Sequence, residues 1–365
     1  MESQKRYTEI DYLRIVLIFA VFLHHCLMPF NGDNWHIMNN TSSKLLDDIM
    51  VYFEQLRLPL LFFIAGSGSY LLLERLSNHD FIFDKAKRLL LPLVIGVLFV
   101  VPPQHYFESP ENFPSFLSAL PELVLRLDSN HLWFIEFLLL FMVLAIPVKY
   151  VIAKLSTLSR RVLANFKLLP YLLLSFGIIL GLTRVLFEKA TDAEGHSLHN
   201  LALSGFYFLL FVLGMFFISH KSIWCSLHQF RRVFLGCFIT VSIVFYAYYF
   251  PDYSAYFSLQ TRWSIWWFVC TLLTWTGLLT ALSYAQRYLR KSTSLLILGN
   301  RLIFPFYIFH QSVIVAVAYY VVHTDYALPI KALIVTLVSL LVTVLICRYI
   351  VYPFKPMRFL FGLKY

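Results

Sequence analysis

Long apolar stretches follow one another along most of the chain, separated by short polar segments. Apolar runs fall at about 10–30, 49–73, 89–103, 131–148, 168–187, 200–218, 233–250, 263–284, 302–322 and 330–352. A helix that crosses a bilayer needs roughly 20 mostly apolar residues. The runs are too long for the strands of a membrane barrel and do not alternate between apolar and polar positions. The pattern therefore predicts an all-α, polytopic integral membrane bundle of about ten transmembrane helices.

Prolines mark the third and fourth runs. Pro102 and Pro103 stand at the end of the third run, and Pro147 stands at the end of the fourth. Because proline lacks an N–H and clashes with the preceding helical turn, we expect these helices to break or end there. The segment at about 104–130 between them is too short for a catalytic domain. We therefore predict one transmembrane domain over residues 1–365, whose helical bundle carries out any chemistry.

Basic residues give the predicted orientation. If the N-terminus lies inside, the inner segments hold 21 of the 30 Lys and Arg residues and the outer loops hold only four. Such a bias is typical of cytoplasmic loops. It predicts that both termini are cytoplasmic and that the number of spans is even. The composition agrees, since 59% of the residues are hydrophobic and 14% are charged, whereas about a quarter are charged in a soluble domain.

Composition also argues against two kinds of partner. The net charge of +10 is explained by cytoplasmic loops that face anionic lipid, so we expect membrane lipids and no nucleic acid. The five cysteines have no spacing that indicates a zinc site or a disulfide framework, and we expect no metal. The oligomeric state stays open, with a homo-oligomer among the options.

Ionisable residues inside a bilayer are costly, so each is a functional candidate. The first run holds Asp11, Arg14, His24 and His25. Arg14 and His25 are separated by three helical turns, so they share one helix face about 16 Å apart along the axis. Asp11 lies one turn before Arg14 and can pair with it. The plainer interpretation of Asp11 and Arg14 is a cap and ion pair at the helix entrance.

A second group of ionisable residues shares one depth. In the predicted topology His25, Glu54, Arg57 and Glu136 all lie within roughly 7–12 Å of the outer surface. His310 of the ninth run lies nearer the middle of the membrane. A histidine, two carboxylates and an arginine at one depth indicate a polar site that opens outward, although depth alone does not make their helices neighbours.

Basic residues also precede the third run. Lys85 and Arg88, in FDKAKRLLLP, either anchor the helix on the inner side or clamp phosphate. Basic residues on one side and a histidine toward the other indicate transfer of a group carried on a phosphorylated donor.

Five stretches taken together resemble acyltransferase family 3, the bacterial membrane O-acyltransferases. They occur in the family's order at 6–25, 57–72, 83–92, 131–140 and 304–315. Ten residues separate Arg14 from His25, as in the family pattern, so the resemblance selects His25 rather than His24. The late motif FPFYIFHQSVIV is centred on His310 and Gln311. With the final segment 354–364, it resembles the family's glucan-biosynthesis branch, which is associated with succinyl transfer to periplasmic glucans.

The resemblance implies an acyl-CoA donor, such as succinyl-CoA or acetyl-CoA, on the cytoplasmic side of a bacterial inner membrane. It implies a sugar hydroxyl of a periplasmic or cell-envelope glycan as the acceptor. His25 would be the general base toward this hydroxyl, or would take the acyl group itself, with Glu54 or Glu136 as its partner. The remaining roles are oxyanion or acceptor binding by Arg57, CoA binding by Lys85, Arg88 and His310, and shaping of the inner mouth by Asp11 and Arg14.

A transporter or flippase for a sugar or lipid-linked glycan is the competing interpretation. It accounts equally well for ten spans and buried charges. We see no pair of repeated halves, which many transporters show, and the polar groups concentrate in the first two spans. Consumption of acyl-CoA separates the two classes, because a transporter releases no free thiol.

Overall fold

The computed structural model describes residues 7–163, 168–189, 198 and 200–363. These residues form helices and turns and contain no strand. Ten helical spans among them are long and apolar enough to cross a membrane: α1 (Thr8–Asn31), α2 (Lys44–Leu73), α3 (Asn78–Glu108), α4 (Phe116–Leu155), α5 (Leu169–Glu188), α6 (Leu201–Ser219), α7 (Lys221–Tyr249), α8 (Leu259–Tyr288), α9 (Ser294–Val322) and α10 (Leu328–Val351). The all-α architecture and the number of spans are confirmed. The orientation of the termini stays a prediction, and Lys5, Arg6, Lys167 and Lys364, which it counted, lie outside the described residues.

The prolines of the third and fourth spans behave differently: the third helix is interrupted at Val101, just before Pro102, as expected, whereas the fourth continues through its proline. Pro147 lies inside the continuous helix Trp133–Leu163, so the predicted helix end there is wrong. Neighbouring groups in a membrane bundle can satisfy the carbonyl that a proline leaves without a donor. In α3, two π-helical turns lead into Pro102–Glu108. Pro102 and Pro103 occupy the first turn of this helix. Backbone N–H groups in the first turn have no acceptor within the helix, so the N–H that proline lacks costs no helical hydrogen bond.

The segment around 104–130 contains helix of its own. Helix Phe116–Leu125 begins with a capping box, in which Ser115 Oγ accepts from Ser118 N at 3.3 Å and Ser118 Oγ accepts from Ser115 N at 3.1 Å. A tight turn follows, with positive φ at Leu127 (48°) and Asn130 (43°). A single 3-10 turn, Asn130–Leu132, then leads into the main helix of α4. This turn fixes the position of His131.

Packing contacts divide the chain into two compact units. Unit 1 comprises residues 1–14, 55–78 and 140–292, and unit 2 comprises residues 15–54, 79–139 and 293–365. The unit boundaries fall within α1, α2 and α4 and after the first residue of α3.

Small residues bring two helices of unit 1 into backbone contact. A Cβ built on Gly66 of α2 would lie 1.9 Å from the Phe211 carbonyl oxygen of α6, and one on Gly214 would lie 1.9 Å from that of Phe63. Ser67 Oγ donates to the Gly214 carbonyl at 3.0 Å. The small-residue stretch Ala65–Ser69 therefore lets the backbones of α2 and α6 come into contact, as small residues commonly do in membrane bundles.

A buried lysine in unit 2 caps the C-terminal end of a helix. Lys331 of α10 is 8% exposed. Its Nζ donates to the Val322 carbonyl at 2.8 Å and to Asn39 Oδ1 at 2.9 Å. Val322 is the last residue of α9, where the final carbonyls have no helical partner and the helix dipole favours a cation. Lys331 thus joins α9, α10 and the loop after α1.

Candidate functional site

His25 lies in the second half of α1, within unit 2, and is half-buried. Three aromatic rings surround its imidazole: the ring centroids of His24, Trp35 and His310 lie 5.7, 6.2 and 5.3 Å away. The contact with His310 is edge-to-face, with an interplanar angle of 74°. The two histidines that the sequence analysis placed at different depths therefore lie side by side.

His310 is held in one orientation by its own helix. The residue is 1% exposed, and its Nδ1 lies 2.5 Å from the Tyr307 carbonyl oxygen one turn earlier in α9. Because a carbonyl only accepts, the neutral ring carries its proton on Nδ1 and keeps a lone pair on Nε2. Among the described residues, Nε2 has no hydrogen-bond partner. A lone pair is therefore buried beside His25.

A third imidazole, His131, packs against His310 at a centroid distance of 5.3 Å. Its Nε2 donates to the Ile308 carbonyl at 2.9 Å, and its Nδ1 accepts from Gln104 Nε2 at 3.2 Å. Both ring nitrogens of His131 are thus occupied in the neutral form. The Tyr307 hydroxyl also donates to the His131 carbonyl at 2.5 Å. His131 is therefore part of the wall that supports His310.

Amide side chains extend this buried polar layer. Gln311, the residue after His310, places its Nε2 within hydrogen-bond distance of Gln104 Oε1 (3.1 Å), Asn130 Oδ1 (2.8 Å) and His36 Nε2 (2.9 Å). Gln104 also donates to Ser312 Oγ at 2.8 Å. The layer therefore connects α3 and α9 with the turn before the main helix of α4 and the loop after α1.

A histidine–carboxylate cluster lies next to the amides, formed by His36, His105, Glu108 and Asp128. Glu108 accepts from Nδ1 of His36 and, at 3.1 Å, from Nδ1 of His105. His105 Nε2 lies 3.2 Å from Asp128 Oδ2. The cluster ties the loop after α1, the end of α3 and the turn in α4 to one another. The sequence analysis missed it, although the spacing of His105 and Glu108 on one helical turn was a usable signal.

The two carboxylates predicted as partners of His25 both belong to unit 2 and are half-buried. Glu136 lies one helical turn after the turn that holds His131, close enough to the Tyr307 hydroxyl to act on it electrostatically. Glu54 lies at the end of the part of α2 that belongs to unit 2.

The other predicted catalytic residues belong to unit 1. Asp11 and Arg14 form an ion pair on one helical turn, with Oδ1 and Nη1 3.7 Å apart. The guanidinium of Arg14 lies over the small-residue stretch of α2, since a Cβ on Gly68 would be 3.8 Å from its Nη2. Arg57 is 6% exposed and lies on α2 as well.

The predicted donor-binding residues Lys85 and Arg88 lie near the start of α3 in unit 2. Lys85 ends the first α-helical segment, and Arg88 lies in the π-helical turn that follows it. Arg88 Nε pairs with Asp84 Oδ1 at 2.8 Å, and Lys85 Nζ lies 5.8 Å from the Phe81 ring centroid. Both head groups are thus held along one helical segment. In the described part of the chain, no three His, Cys, Asp or Glu side chains are arranged to hold a metal ion.

Comparison with known proteins identifies the family to which the chain belongs. The model of acyltransferase family 3, described as an acyltransferase domain, matches residues 7–348. The match covers nearly the whole chain and includes every residue of the candidate site. No curated protein and no solved structure gives a significant match.

Proposed function

The chain belongs to acyltransferase family 3, and from this premise we propose that it moves an acyl group from acyl-CoA to a hydroxyl group of a cell-envelope glycan at His25. It is an acyltransferase and a multi-pass membrane protein. The donor, the acceptor and the orientation in the membrane are the proposed parts. The membrane would be the inner membrane of a bacterium.

The half-buried imidazole of His25 beside a buried lone pair of His310 carries the proposal for the chemistry. Histidine suits proton transfer because its ordinary pKa lies near neutrality. His25 takes the proton from the acceptor hydroxyl as the oxygen attacks the thioester carbonyl. The C–S bond breaks, a C–O ester bond forms, and the thiolate of CoA takes the proton back from His25. The products are the acylated glycan and free CoA.

The roles proposed for the other groups rest on the sequence and the resemblance alone. Arg57 stabilises negative charge on the carbonyl oxygen or binds the acceptor. Lys85 and Arg88 bind the phosphates of CoA through charge-assisted hydrogen bonds, and the predicted orientation puts them on the cytoplasmic side. Asp11 and Arg14 shape the mouth on that side. The acyl group is succinyl or acetyl, with the resemblance to the glucan-biosynthesis branch favouring succinyl.

The test is acyl transfer by the purified protein in lipid nanodiscs. Succinyl-CoA and acetyl-CoA are supplied separately, each with and without extracted periplasmic glycan. We expect glycan-dependent release of free thiol and a glycan whose mass rises by one acyl group. A transporter releases no thiol, so glycan uptake into vesicles without thiol release would replace this proposal with that class.

A further inference from the structure

An open cleft of about 200 Å³ lies where α7 ends and α8 begins, within unit 1. None of the residues that line it has a role in the proposed reaction. Pockets that enclose a whole small molecule measure roughly 300–1,000 Å³, so this cleft has the size for one ring rather than for a chain. In the predicted orientation, the loop 250–258 that borders it lies on the outer side of the membrane.

Hydrogen bonds hold the walls of the cleft in place. The Tyr248 hydroxyl donates to the Arg262 carbonyl at 2.8 Å and so joins α7 to α8. The Tyr253 hydroxyl donates to the Ala247 carbonyl at 3.1 Å and ties the loop to the end of α7. The rings of Tyr248 and Tyr253 stack at a centroid distance of 5.4 Å with an interplanar angle of 10°. The cleft is therefore formed before any ligand binds, which lowers the entropic cost of binding.

Aromatic side chains make up much of the lining. Trp263 is 51% exposed, and the rings of Tyr249 and Trp266 lie 5.9 Å apart with an interplanar angle of 35°. The face of an aromatic ring carries partial negative charge, and the flat face of a pyranose ring presents C–H groups with partial positive charge. The lining therefore suits the apolar face of a sugar.

Two opposite charges complete the lining. Arg262 Nη1 lies 3.8 Å from Asp252 Oδ1, and the Asp252 side chain is 77% exposed. Asp252 accepts from Ser254 N at 2.8 Å and from Ser254 Oγ at 2.9 Å, which leaves lone pairs for a ligand. Arg262 Nε has no hydrogen-bond partner among the described residues. A carboxylate accepts and a guanidinium donates, and a sugar hydroxyl can do both.

A belt of aromatic residues at the membrane interface is the plainer interpretation of this region. Such a belt faces lipid and has no use for a carboxylate among its rings. The negative charge of Asp252 also disfavours an anionic lipid headgroup, although Arg262 would attract one. The paired charges and the concave shape together favour a neutral ligand that is rich in hydroxyl groups.

We propose that this cleft binds one pyranose ring of the acceptor glycan. The C–H face of the sugar packs on the aromatic side chains, and its hydroxyls bond to Asp252 and Arg262. The sugar in the cleft is not the one that is acylated, so no covalent bond changes there, and its binding adds affinity for a polymeric acceptor. The inference rests on the proposed function for the identity of the glycan and goes beyond it by assigning a binding site.

The experiment is calorimetric titration of the purified protein in lipid nanodiscs with extracted periplasmic glycan. Loss of an aromatic contact in Trp263→Ala should raise Kd about three- to tenfold, whereas Trp263→Phe keeps a ring and should stay within about threefold of wild type. Asp252→Asn replaces a charged acceptor with a neutral one and should raise Kd about five- to tenfold. KM for the glycan should rise by the same factors, with KM for acyl-CoA unchanged.

Tyr256 offers a matched control from the same loop. It is 78% exposed and does not line the cleft, so Tyr256→Ala should leave Kd and both KM values unchanged. If Trp263→Ala and Asp252→Asn bind the glycan as tightly as Tyr256→Ala, the cleft is not a glycan site. Asp252→Asn changes an exposed loop side chain, so it decides the question even if Trp263→Ala does not fold.

Native mass spectrometry in phosphatidylglycerol and phosphatidylcholine nanodiscs tests the lipid alternative. Removal of the Asp252 charge strengthens binding of an anionic headgroup but weakens binding of a sugar. If Asp252→Asn retains more phosphatidylglycerol while its glycan affinity holds, the cleft binds lipid and the inference is overturned. Wild type that binds glycan through the cleft but releases no thiol would refute only the proposed function. Active wild type with unaffected cleft variants would refute only the cleft, and absence of both binding and thiol release would refute both.

Discussion

Gly66 provides a direct test of how α2 and α6 pack in unit 1. In Gly66→Ala the added Cβ would lie 1.9 Å from the Phe211 carbonyl oxygen and 2.7 Å from its carbonyl carbon. Contacts between carbon and a carbonyl oxygen are normally about 3.3–3.6 Å. The two backbones would therefore have to separate by about 1.4 Å, measured against the short end of that range.

Overpacking of this kind costs about 1–3 kcal/mol. We expect a value near the upper end, because neither backbone can move aside as a flexible side chain would. The better helix propensity of alanine offsets up to about 1 kcal/mol. The net loss of unfolding free energy is then about 1–2 kcal/mol. At about 2–4 °C per kcal/mol, the unfolding temperature should fall by about 2–8 °C.

The assay is thermal unfolding in detergent, with two glycine controls from the same unit. A Cβ on Gly68 meets only the end of the Arg14 side chain at 3.8 Å, and one on Gly205 of α6 meets nothing within 4 Å. Gly68→Ala and Gly205→Ala should be neutral or slightly stabilising, whereas Gly214→Ala should behave like Gly66→Ala. If Gly66→Ala is as stable as Gly68→Ala, the close approach of α2 and α6 is refuted.

Three other predictions concern the donor side, the histidine–carboxylate cluster and the topology. Lys85→Ala and Arg88→Ala should each raise KM for acyl-CoA about ten- to a hundredfold, because a charge-assisted contact is worth about 1.5–3 kcal/mol. Arg75→Ala removes a charge from the same segment and should leave this KM unchanged. Equal effects from all three variants would indicate that these residues only anchor the helix at the membrane surface. Glu108→Gln should lower the unfolding free energy by about 1.5–3 kcal/mol in denaturant titration, because Glu108 accepts hydrogen bonds from two histidines. Glu122→Gln is the control: its partner Arg126 is exposed, so the loss should be less than about 1 kcal/mol. Similar losses in the two variants would contradict the histidine–carboxylate cluster. A single cysteine in the tail of a cysteine-free variant should be labelled only from the cytoplasm, and labelling only from outside would contradict the predicted orientation.

The sequence predicted the number of spans well because each span is a local property. A run of about 20 apolar residues identifies a membrane helix without knowledge of its neighbours. The helix ends were less predictable. The expected break occurs at Pro102, where a new helix begins, but Pro147 lies within a continuous helix. Whether a helix continues through a proline depends on how neighbouring groups satisfy the backbone.

The site was only partly predictable. His25 and His310 were identified individually, but depth along two separate helices did not show that their rings touch. His131 lies in the stretch 131–140 that carried part of the resemblance but was given no role, and Gln104 was not identified at all. The hydrogen bonds of Gln104 reach Ser312, which is 208 positions away. Contacts over such separations arise from tertiary packing, which neither periodicity nor charge in one segment encodes.

The most direct test of the account compares two adjacent histidines of α1 in the acyl-transfer assay. His24→Ala and His25→Ala each remove one imidazole from the same helical turn, so general effects on insertion should be similar. We predict that His25→Ala abolishes glycan-dependent thiol release while the protein stays inserted and folded, and that His24→Ala keeps most of the activity. Retained activity in His25→Ala, or equal loss in both variants, would contradict the assignment of His25 as the catalytic residue.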